Sequence, residues 1–434
     1  MKSVRVITLG CSKNTVDTEH LLAQLPGDRF MILAEDSDVP ADYVLVNTCG
    51  FIADAKEESI QELLRQGELK KAGKVGTLLA FGCLSQRYAS DLPRLIPEVD
   101  GWYGARDLDP VVRALGVRPS EALRTSRRFG GGPAAYLKIS EGCDRRCSYC
   151  AIPHIHGAHR SVPIEKIVEE AGKLAAQGVK ELLLIAQDTT YYGLDLYGRR
   201  RLADVLRALS DVPGIEWLRV HYSYPEGFPE DVLRELAENP KVCRYMDIPL
   251  QHIADKVLDN MHRHVDGAWT RRLINRLRTE VPGVALRTTL ILGHPGEGEA
   301  EFEELLDFVR EARFERLGAF MYSEEEGTWG AQHLKDDVPP EEKQRRYDAL
   351  MSLQQGISEA YNASRVGREY RVLVDSVLDG KLIARSEFES PDVDGEIIVS
   401  CPPGTDVSSL VGSFVNVHIS EALEYDLLAD LLTY

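Results

Sequence analysis

The sequence predicts an α/β protein in three parts: an N-terminal parallel α/β sheet domain, a central open (β/α)6 partial barrel and a small C-terminal β-barrel. Three observations lead to this prediction. Apolar strand-like runs alternate with helical stretches along most of the chain, a Gly-rich segment interrupts them near residue 130, and short β-runs alone follow residue 368. We place the domains at 1–125, 130–365 and 367–434, and about 150 residues per domain gives the same number.

The N-terminal domain is predicted from three strand–helix pairs. The runs SVRVITLG, DYVLVNTCG and VGTLLAFG are each followed by a helical stretch, as in a parallel sheet. Each run stops at a turn that contains a cysteine, namely Cys11, Cys49 or Cys83. Because the carboxyl ends of parallel strands share one edge of a sheet, we expect these cysteines to converge. Taken alone, three cysteines at strand ends are more often packed small apolar residues than ligands.

The central domain is predicted from six successive strands, each followed by a helix except the last. Six units are too few for a closed eight-stranded barrel and too many for a half-sheet, so we expect an open, partial TIM barrel. Its working face is the carboxyl end of the strands. The stretch after residue 340 is predicted to be one helix that ends at Gly367.

The C-terminal β-runs carry much of the protein's negative charge. From residue 368 onward, 4 basic residues stand against 13 acidic ones, a balance of −9, whereas the whole chain has 51 Lys and Arg, 69 Asp and Glu and a net charge of −18. Such a surface repels nucleic acid and favours basic partners. With no signal-peptide pattern and no apolar run of about 18 residues, we expect a cytoplasmic protein without membrane contact.

The segment EGCDRRCSYC, residues 141–150, carries the most specific chemical signal. Cys143, Cys147 and Cys150 form C-x3-C-x2-C just after the first barrel strand. A structural zinc site normally closes four ligands with a second pair, and none lies nearby, although zinc remains an alternative. In a four-iron cluster, three thiolates hold three irons and leave the fourth open. In a reducing compartment the eight cysteines are not expected to form disulfides.

This motif resembles the signature of the radical S-adenosylmethionine enzymes. The resemblance implies a 4Fe–4S cluster on Cys143, Cys147 and Cys150 whose open iron binds S-adenosylmethionine and cleaves it to a 5′-deoxyadenosyl radical. The full chain resembles the methylthiotransferases within that family. They hold a second 4Fe–4S cluster on three N-terminal cysteines, which Cys11, Cys49 and Cys83 match, and the last domain resembles their TRAM module.

Within this family, the chain is most similar to the branch that modifies an aspartate β-carbon of ribosomal protein S-twelve. GCSKNTVDTE looks like that branch's C-x-K-N-x-V-D-[ST]-E element, whereas the branch that modifies a tRNA adenosine usually reads C-x-M-N. AQDTTYYG resembles its Q-D-T element. The acidic last domain independently favours a basic ribosomal protein, or the ribosome, over tRNA.

Residues outside the cysteine motifs are less specific. Gln187 and Asp188 follow the second barrel strand and could contact the cofactor or merely cap the strand; Arg287 could pair with the cofactor carboxylate or form an internal salt bridge. His156 and His294 depart from the residues common in the family, and we interpret both as solvated or packed. We expect Tyr191 and Tyr192 to be packed aromatic residues of a loop, and Cys243 and Cys401 to be free thiols.

Two other functions remain open from the sequence. The same chemistry could act on a tRNA adenosine, and a protein with two clusters could be an electron carrier without catalysis. No Ser/His/Asp constellation is present, so no catalytic residue is assigned. An enzyme of this kind needs an electron donor such as flavodoxin or ferredoxin.

Overall fold

A computed structural model describes residues 1–432 of the protein. The N-terminal part contains a five-stranded sheet in the order β2-β1-β3-β4-β5, and every paired strand is parallel. Its elements are β1 (Lys2–Thr8), α1 (Ser12–Ala23), β2 (Phe30–Ile32), β3 (Ala41–Thr48), α2 (Ala53–Lys71), β4 (Val75–Gly82), α3 (Cys83–Arg87), α4 (Leu92–Leu95), β5 (Gly101–Trp102) and α5 (Asp109–Ala114). The three long strands are those expected from the sequence, and β2 and β5 are short additions at the edges.

The central part is an open sheet of six parallel strands that follow one another in chain order, with helices packed outside it. The strands of this sheet are β6 (Ala134–Lys138), β9 (Glu181–Ile185), β10 (Trp217–Val220), β11 (Val242–Asp247), β12 (Ala285–Leu292) and β13 (Arg316–Met321). A two-stranded ribbon of β7 (Ser140–Glu141) and β8 (Arg160–Ser161) flanks the cysteine loop. The predicted (β/α)6 partial barrel is confirmed.

Helices cover the outer face of this sheet and bury a continuous apolar core of mostly Leu, Ile and Val. Those that contribute buried residues to this core are α7 (Ile164–Ala176), α9 (Leu202–Ser210), α10 (Glu230–Glu238), α12 (Gly267–Glu280), α13 (Glu299–Ala312) and α15 (Pro340–Ala363). Short helices lie in the connecting segments: α6 (Ile152–His156), α8 (Leu194–Tyr197), α11 (Asp255–Asn260) and α14 (Trp329–His333). Within the described residues, no helix combines the length and the apolar character needed to cross a bilayer.

The C-terminal part is a closed five-stranded barrel, as predicted. Its strands are β14 (Glu369–Leu378), β15 (Lys381–Arg385), β16 (Ile397–Ser400), β17 (Phe414–Ala422) and β18 (Leu427–Leu431). The domain limits at 125–130 and 365–367 stay predictions. Both fall in segments outside the named helices and strands.

A buried ion cluster fastens the small barrel to the amino-terminal edge of the six-stranded sheet. Glu181, at the start of β9, lies 2.7 Å from Nε of Arg219 and 2.7 Å from Nη1 of Arg385. Burial alone would raise the pKa of Glu181, but the two guanidinium groups outweigh it and lower that pKa. The carboxylate is therefore charged, and it pairs with Arg219 of the central domain and with Arg385 of the small barrel.

Replacing the Glu181 carboxylate should destabilise the folded protein. We expect Glu181→Gln to lower the free energy of unfolding by about 3–5 kcal/mol, because it leaves the buried Arg219 guanidinium without a charged partner and removes one of the two carboxylates that pair with Arg385. Urea unfolding measures the change. Glu216→Gln is the matched control, since Glu216 and Arg371 also join the two domains but are 44% and 49% exposed, and it should cost at most about 1 kcal/mol. Equal costs for the two variants would contradict this prediction.

Candidate active site

The three N-terminal cysteines lie at one edge of the first sheet. Cys11 follows β1 and caps α1, Cys49 follows β3, and Cys83 opens α3 directly after β4. These strands are neighbours in the sheet and run parallel, so their carboxyl ends meet. Burial raises the pKa of Cys83 well above its ordinary value, and the nearby Cys11 and Cys49 raise it further. The expected convergence of the three thiols is therefore present in the structure.

Glycines leave the space that these thiols need. Gly10 has a φ of +93°, and a Cβ on it would lie 2.8 Å from the Cys49 sulfur. Gly82 has a φ of +99°, and its Cβ would lie 2.7 Å from the Thr48 carbonyl oxygen. A side chain at either position would be strained and would displace a cysteine-bearing turn. The arrangement of the three thiols thus requires glycine at positions 10 and 82.

The second cysteine set lies on the loop between β7 and α6, at the carboxyl end of the barrel strands. The loop is held by its backbone: the Cys143 amide donates to the Gly157 carbonyl and the Cys150 amide donates to the Cys147 carbonyl, both at 3.1 Å. Burial raises the pKa of Cys143 to about 12. Burial also raises the pKa of Cys150, and Cys147 and Cys143 add to that effect. Cys143, Cys147 and Cys150 therefore lie close enough for each thiol to affect the charge of the others.

Two arginines and a tyrosine enclose Cys147. The Arg263 guanidinium donates from Nη1 to the Cys147 sulfur at 3.5 Å, and it lies 4.1 Å from the Tyr224 ring centroid. Arg145 lies 4.0 Å from the same centroid. Arg263 is buried, and its neighbours His262 and His264 both have a φ of +56°, which is unusual for residues with a side chain. A fixed positive charge therefore faces one thiol of this set.

The carboxylate of Glu141 connects the two cysteine sets. It accepts hydrogen bonds from Lys138 Nζ and from Gln187 Nε2, both at 2.6 Å, and it lies 2.9 Å from His156 Nδ1. Lys138 also pairs with Asp17 of the N-terminal domain. Burial alone would raise the pKa of Glu141, but Lys138 and His156 outweigh it and hold that pKa well below its usual value. Glu141 is thus a buried, charged hub between the two domains.

His156 spans the remaining gap. Its Nε2 lies 3.3 Å from the Cys83 sulfur, while Nδ1 faces Glu141. The sequence interpretation of His156 as solvated or packed missed this contact, because Cys83 lies 73 residues away and no local pattern links the two. His294 is a packed histidine, 4.9 Å from the Tyr322 ring. Arg145, Tyr224 and Arg263 were also missed, for the same reason.

The three predicted cofactor-binding residues have different surroundings. Gln187 donates to Glu141, and its Oε1 is buried with no hydrogen-bond partner among residues 1–432. Asp188 binds Arg145 Nε at 2.9 Å and caps the following turn by accepting from the Tyr191 amide. Arg287 lies inside the barrel, where its Nη1 donates to Asp247 at 2.9 Å. Arg287 thus makes the internal salt bridge named as the alternative, and its contact with the cofactor stays a prediction.

Two tyrosines and two cysteines were predicted to have packing roles or to be free thiols. Tyr192 is buried and donates from its hydroxyl to the Val162 carbonyl, whereas Tyr191 lies against Arg145 at the loop surface. Cys243 is buried, Cys401 is half-buried, and both are free thiols.

The donor chemistry of the two cysteine sets suits iron–sulfur clusters. No group of three or more His, Cys, Asp or Glu side chains within residues 1–432 is arranged to hold one metal ion. A single zinc ion gathers thiolates at about 2.3 Å, whereas a four-iron cluster binds each thiolate through a different iron. The two sets supply three thiols each and no fourth ligand of the same kind, which fits a cluster with one open iron.

Comparisons with known proteins cover the whole chain. The Radical SAM superfamily model matches residues 137–309, the model described as Uncharacterized protein family UPF0004 matches 3–104, and the TRAM domain model matches 366–432. The "Ribosomal protein uS12 methylthiotransferase RimO" of Porphyromonas gingivalis is 48% identical over 435 residues, which is 99% of each chain. The protein with the same name from Bacteroides fragilis is 47% identical over 432 residues, again 99% of each chain.

Solved structures agree on the fold. The radical S-adenosylmethionine methyltransferase TsrM from Kitasatospora setae has a TM-score of 0.56 at 16% identity, over 74% of this chain and 72% of that one. The cobalamin-dependent S-adenosylmethionine radical enzyme OxsB has a TM-score of 0.51 at 12% identity, over 82% of this chain and 56% of that one. Since near-half identity over the full length to the RimO proteins accompanies this fold, the chain belongs to the RimO family of radical S-adenosylmethionine methylthiotransferases.

Proposed function

We propose that this methylthiotransferase inserts a methylthio group at the β-carbon of an aspartate of ribosomal protein uS12, with two 4Fe–4S clusters. Membership of the Radical SAM superfamily brings an iron–sulfur cluster and S-adenosylmethionine as cofactors. The observation that carries the proposal is the contact between the N-terminal cysteine set and the helix that follows the barrel cysteine loop, where His156 of α6 lies 3.3 Å from Cys83. The sulfur donor and the radical can then act on the same substrate carbon. The uS12 substrate follows the names of the relatives.

Each cluster is assigned to one cysteine set. Residues Cys143, Cys147 and Cys150 hold the cluster that binds S-adenosylmethionine, and residues Cys11, Cys49 and Cys83 hold the auxiliary cluster. When bound, these groups supply a radical that takes hydrogen from a C–H bond and the sulfur that replaces it. The protein's part is to bind and orient them and to exclude water, which the burial of Cys49, Cys83 and Cys143 supports.

Residues around the barrel loop have defined tasks in this proposal. Gln187 Oε1 is buried and unpaired in the described chain, so it can accept a hydrogen bond from the amino group of S-adenosylmethionine. Asp188 holds Arg145 against the Tyr224 ring and so shapes the wall of the same pocket. Arg287 is assigned to the cofactor carboxylate, at the cost of its present bond to Asp247.

The charge distribution of the C-terminal barrel supports a basic protein substrate over tRNA. Of its four cations, Arg385 is buried against Glu181 and Arg371 pairs with Glu216, so both are used to dock on the central domain. Its exposed carboxylates include Asp379, Asp392, Glu396, Asp406, Glu421, Glu424 and Asp430. A surface of this kind attracts Lys- and Arg-rich ribosomal proteins and repels phosphate backbones. The electron is supplied by a small redox protein such as flavodoxin or ferredoxin.

The proposal is tested by anaerobic reconstitution with iron and sulfide. The loaded protein should bind about eight irons, and with S-adenosylmethionine, a reductant and uS12 it should yield methylthio-aspartate by mass spectrometry. Changing Cys11, Cys49 and Cys83 together to Ala should abolish that product while cleavage of S-adenosylmethionine continues. Cys243→Ala is the control and should retain the product. Modification of a tRNA adenosine but not of uS12 would refute the substrate.

The assignment of the auxiliary cluster to Cys11, Cys49 and Cys83 is tested by a substitution at Gly10. Gly10→Ala should reduce the bound iron from about eight toward about four per chain, because its Cβ would press on the Cys49 sulfur. Gly73→Ala is the matched control: Gly73 also has a positive φ, +76°, but nothing lies within 4 Å of its added Cβ. Both variants share the backbone strain, so equal iron contents would contradict an effect on the cluster site. Iron analysis of the reconstituted proteins decides between these outcomes.

The contact of His156 with Cys83 should tune the auxiliary cluster. A hydrogen bond to a cluster sulfur stabilises the reduced, more negative state, so we expect His156→Phe to shift the reduction potential to lower values. The potential is measured by redox titration followed by electron paramagnetic resonance, in a background without Cys143, Cys147 and Cys150. His154→Phe is the control, since His154 lies in the same helix, α6, and is exposed. A potential that is unchanged in His156→Phe would show that this histidine has only a packing role.

A further inference from the structure

Lys13 reaches from the N-terminal domain into the mouth of the barrel. It lies two residues after Cys11, in the first turn of α1, and its Nζ is 3.5 Å from the centroid of the Tyr222 ring. Tyr222 follows β10 at the carboxyl edge of the six-stranded sheet, and its amide donates to the buried carboxylate of Asp247. The ammonium group therefore lies between the N-terminal cysteine set and the carboxyl edge of the six-stranded sheet.

Lys13 has no carboxylate partner within residues 1–432, unlike the nearby Lys138 and Arg145. Lys138 pairs with Asp17 and Glu141, and Arg145 pairs with Asp188 and Glu226. Within the described part of the chain, Lys13 forms no ion pair, and its ammonium group contacts the face of the Tyr222 ring. A half-buried ammonium loses part of its hydration, and an aromatic face compensates for only some of that loss. The position is suited to a carboxylate that arrives with a ligand.

We propose that Lys13 binds the side-chain carboxylate of the substrate aspartate and thereby selects aspartate over uncharged residues. This inference rests on the proposed function. S-adenosylmethionine also carries a carboxylate, but Lys13 stands beside Cys11, on the sulfur-presenting side, whereas Gln187 and Arg145 line the radical-forming loop. A carboxylate held at Lys13 would place its β-carbon near Cys11, at the carboxyl edge of the barrel strands. The Tyr222 ring keeps the ammonium in position before the substrate arrives.

The test compares two substrates with two enzymes. Intact uS12 is prepared with aspartate or with asparagine at the modified position, and both Kd and kcat/KM are measured for the reconstituted enzyme and for Lys13→Met, which keeps the side-chain length without the charge. The preference for aspartate should fall about ten- to a hundredfold in Lys13→Met. Cleavage of S-adenosylmethionine without uS12 and the iron content should stay at the level of the unchanged enzyme.

Control variants distinguish binding of the substrate carboxylate by Lys13 from a role in cofactor binding or in folding. Thr15→Met changes an exposed residue in the same turn of α1 and should keep the full preference for aspartate. Lys13→Gln provides a second variant if Lys13→Met folds poorly. An unchanged preference in both Lys13 variants overturns the inference, and so does a matching loss in cleavage of S-adenosylmethionine, which would assign Lys13 to the cofactor carboxylate. If the unchanged enzyme fails to modify uS12 at all, the proposed function itself is refuted, and the inference with it.

Discussion

The buried carboxylate of Glu141 is the contact on which the candidate site depends. It accepts from Lys138 and Gln187, lies beside His156, and through Lys138 reaches Asp17 of the other domain. A charge in such a place is stable only when its partners surround it, so the position of each partner is constrained. Because His156 also contacts Cys83, this network sets how the two cysteine sets face each other.

Paired charges also hold the other parts of the molecule together. Glu325, in the loop after β13, lies 2.8 Å from Lys56 and 2.9 Å from Arg87 of the N-terminal domain. At the opposite edge, Glu181 binds one arginine from the sheet and one from the small barrel. Several basic side chains are thus buried at domain contacts, whereas many acidic ones remain exposed. The net charge of −18 is consequently displayed on the surface, where it can guide a basic partner.

Much of the architecture follows from local sequence patterns. Alternating apolar runs and helical stretches define the parallel sheets, and their regular order leaves few alternative topologies. The same logic extends to the cysteines, because Cys11, Cys49 and Cys83 each follow a parallel strand and must therefore meet at one edge. C-x3-C-x2-C is local and is readable directly. The short strands β2 and β5 escaped prediction because two or three residues carry no periodicity.

By itself, the sequence determined the three-part fold, the two sets of thiols and the acidic character of the last domain, since each depends on neighbours in the chain or on composition. The tertiary structure alone decided which side chains face those thiols. His156 beside Cys83, Arg263 beside Cys147 and Lys13 over Tyr222 join residues 73, 116 and more than 200 positions apart. Such contacts arise when separately formed elements dock, so no local pattern of residues encodes them.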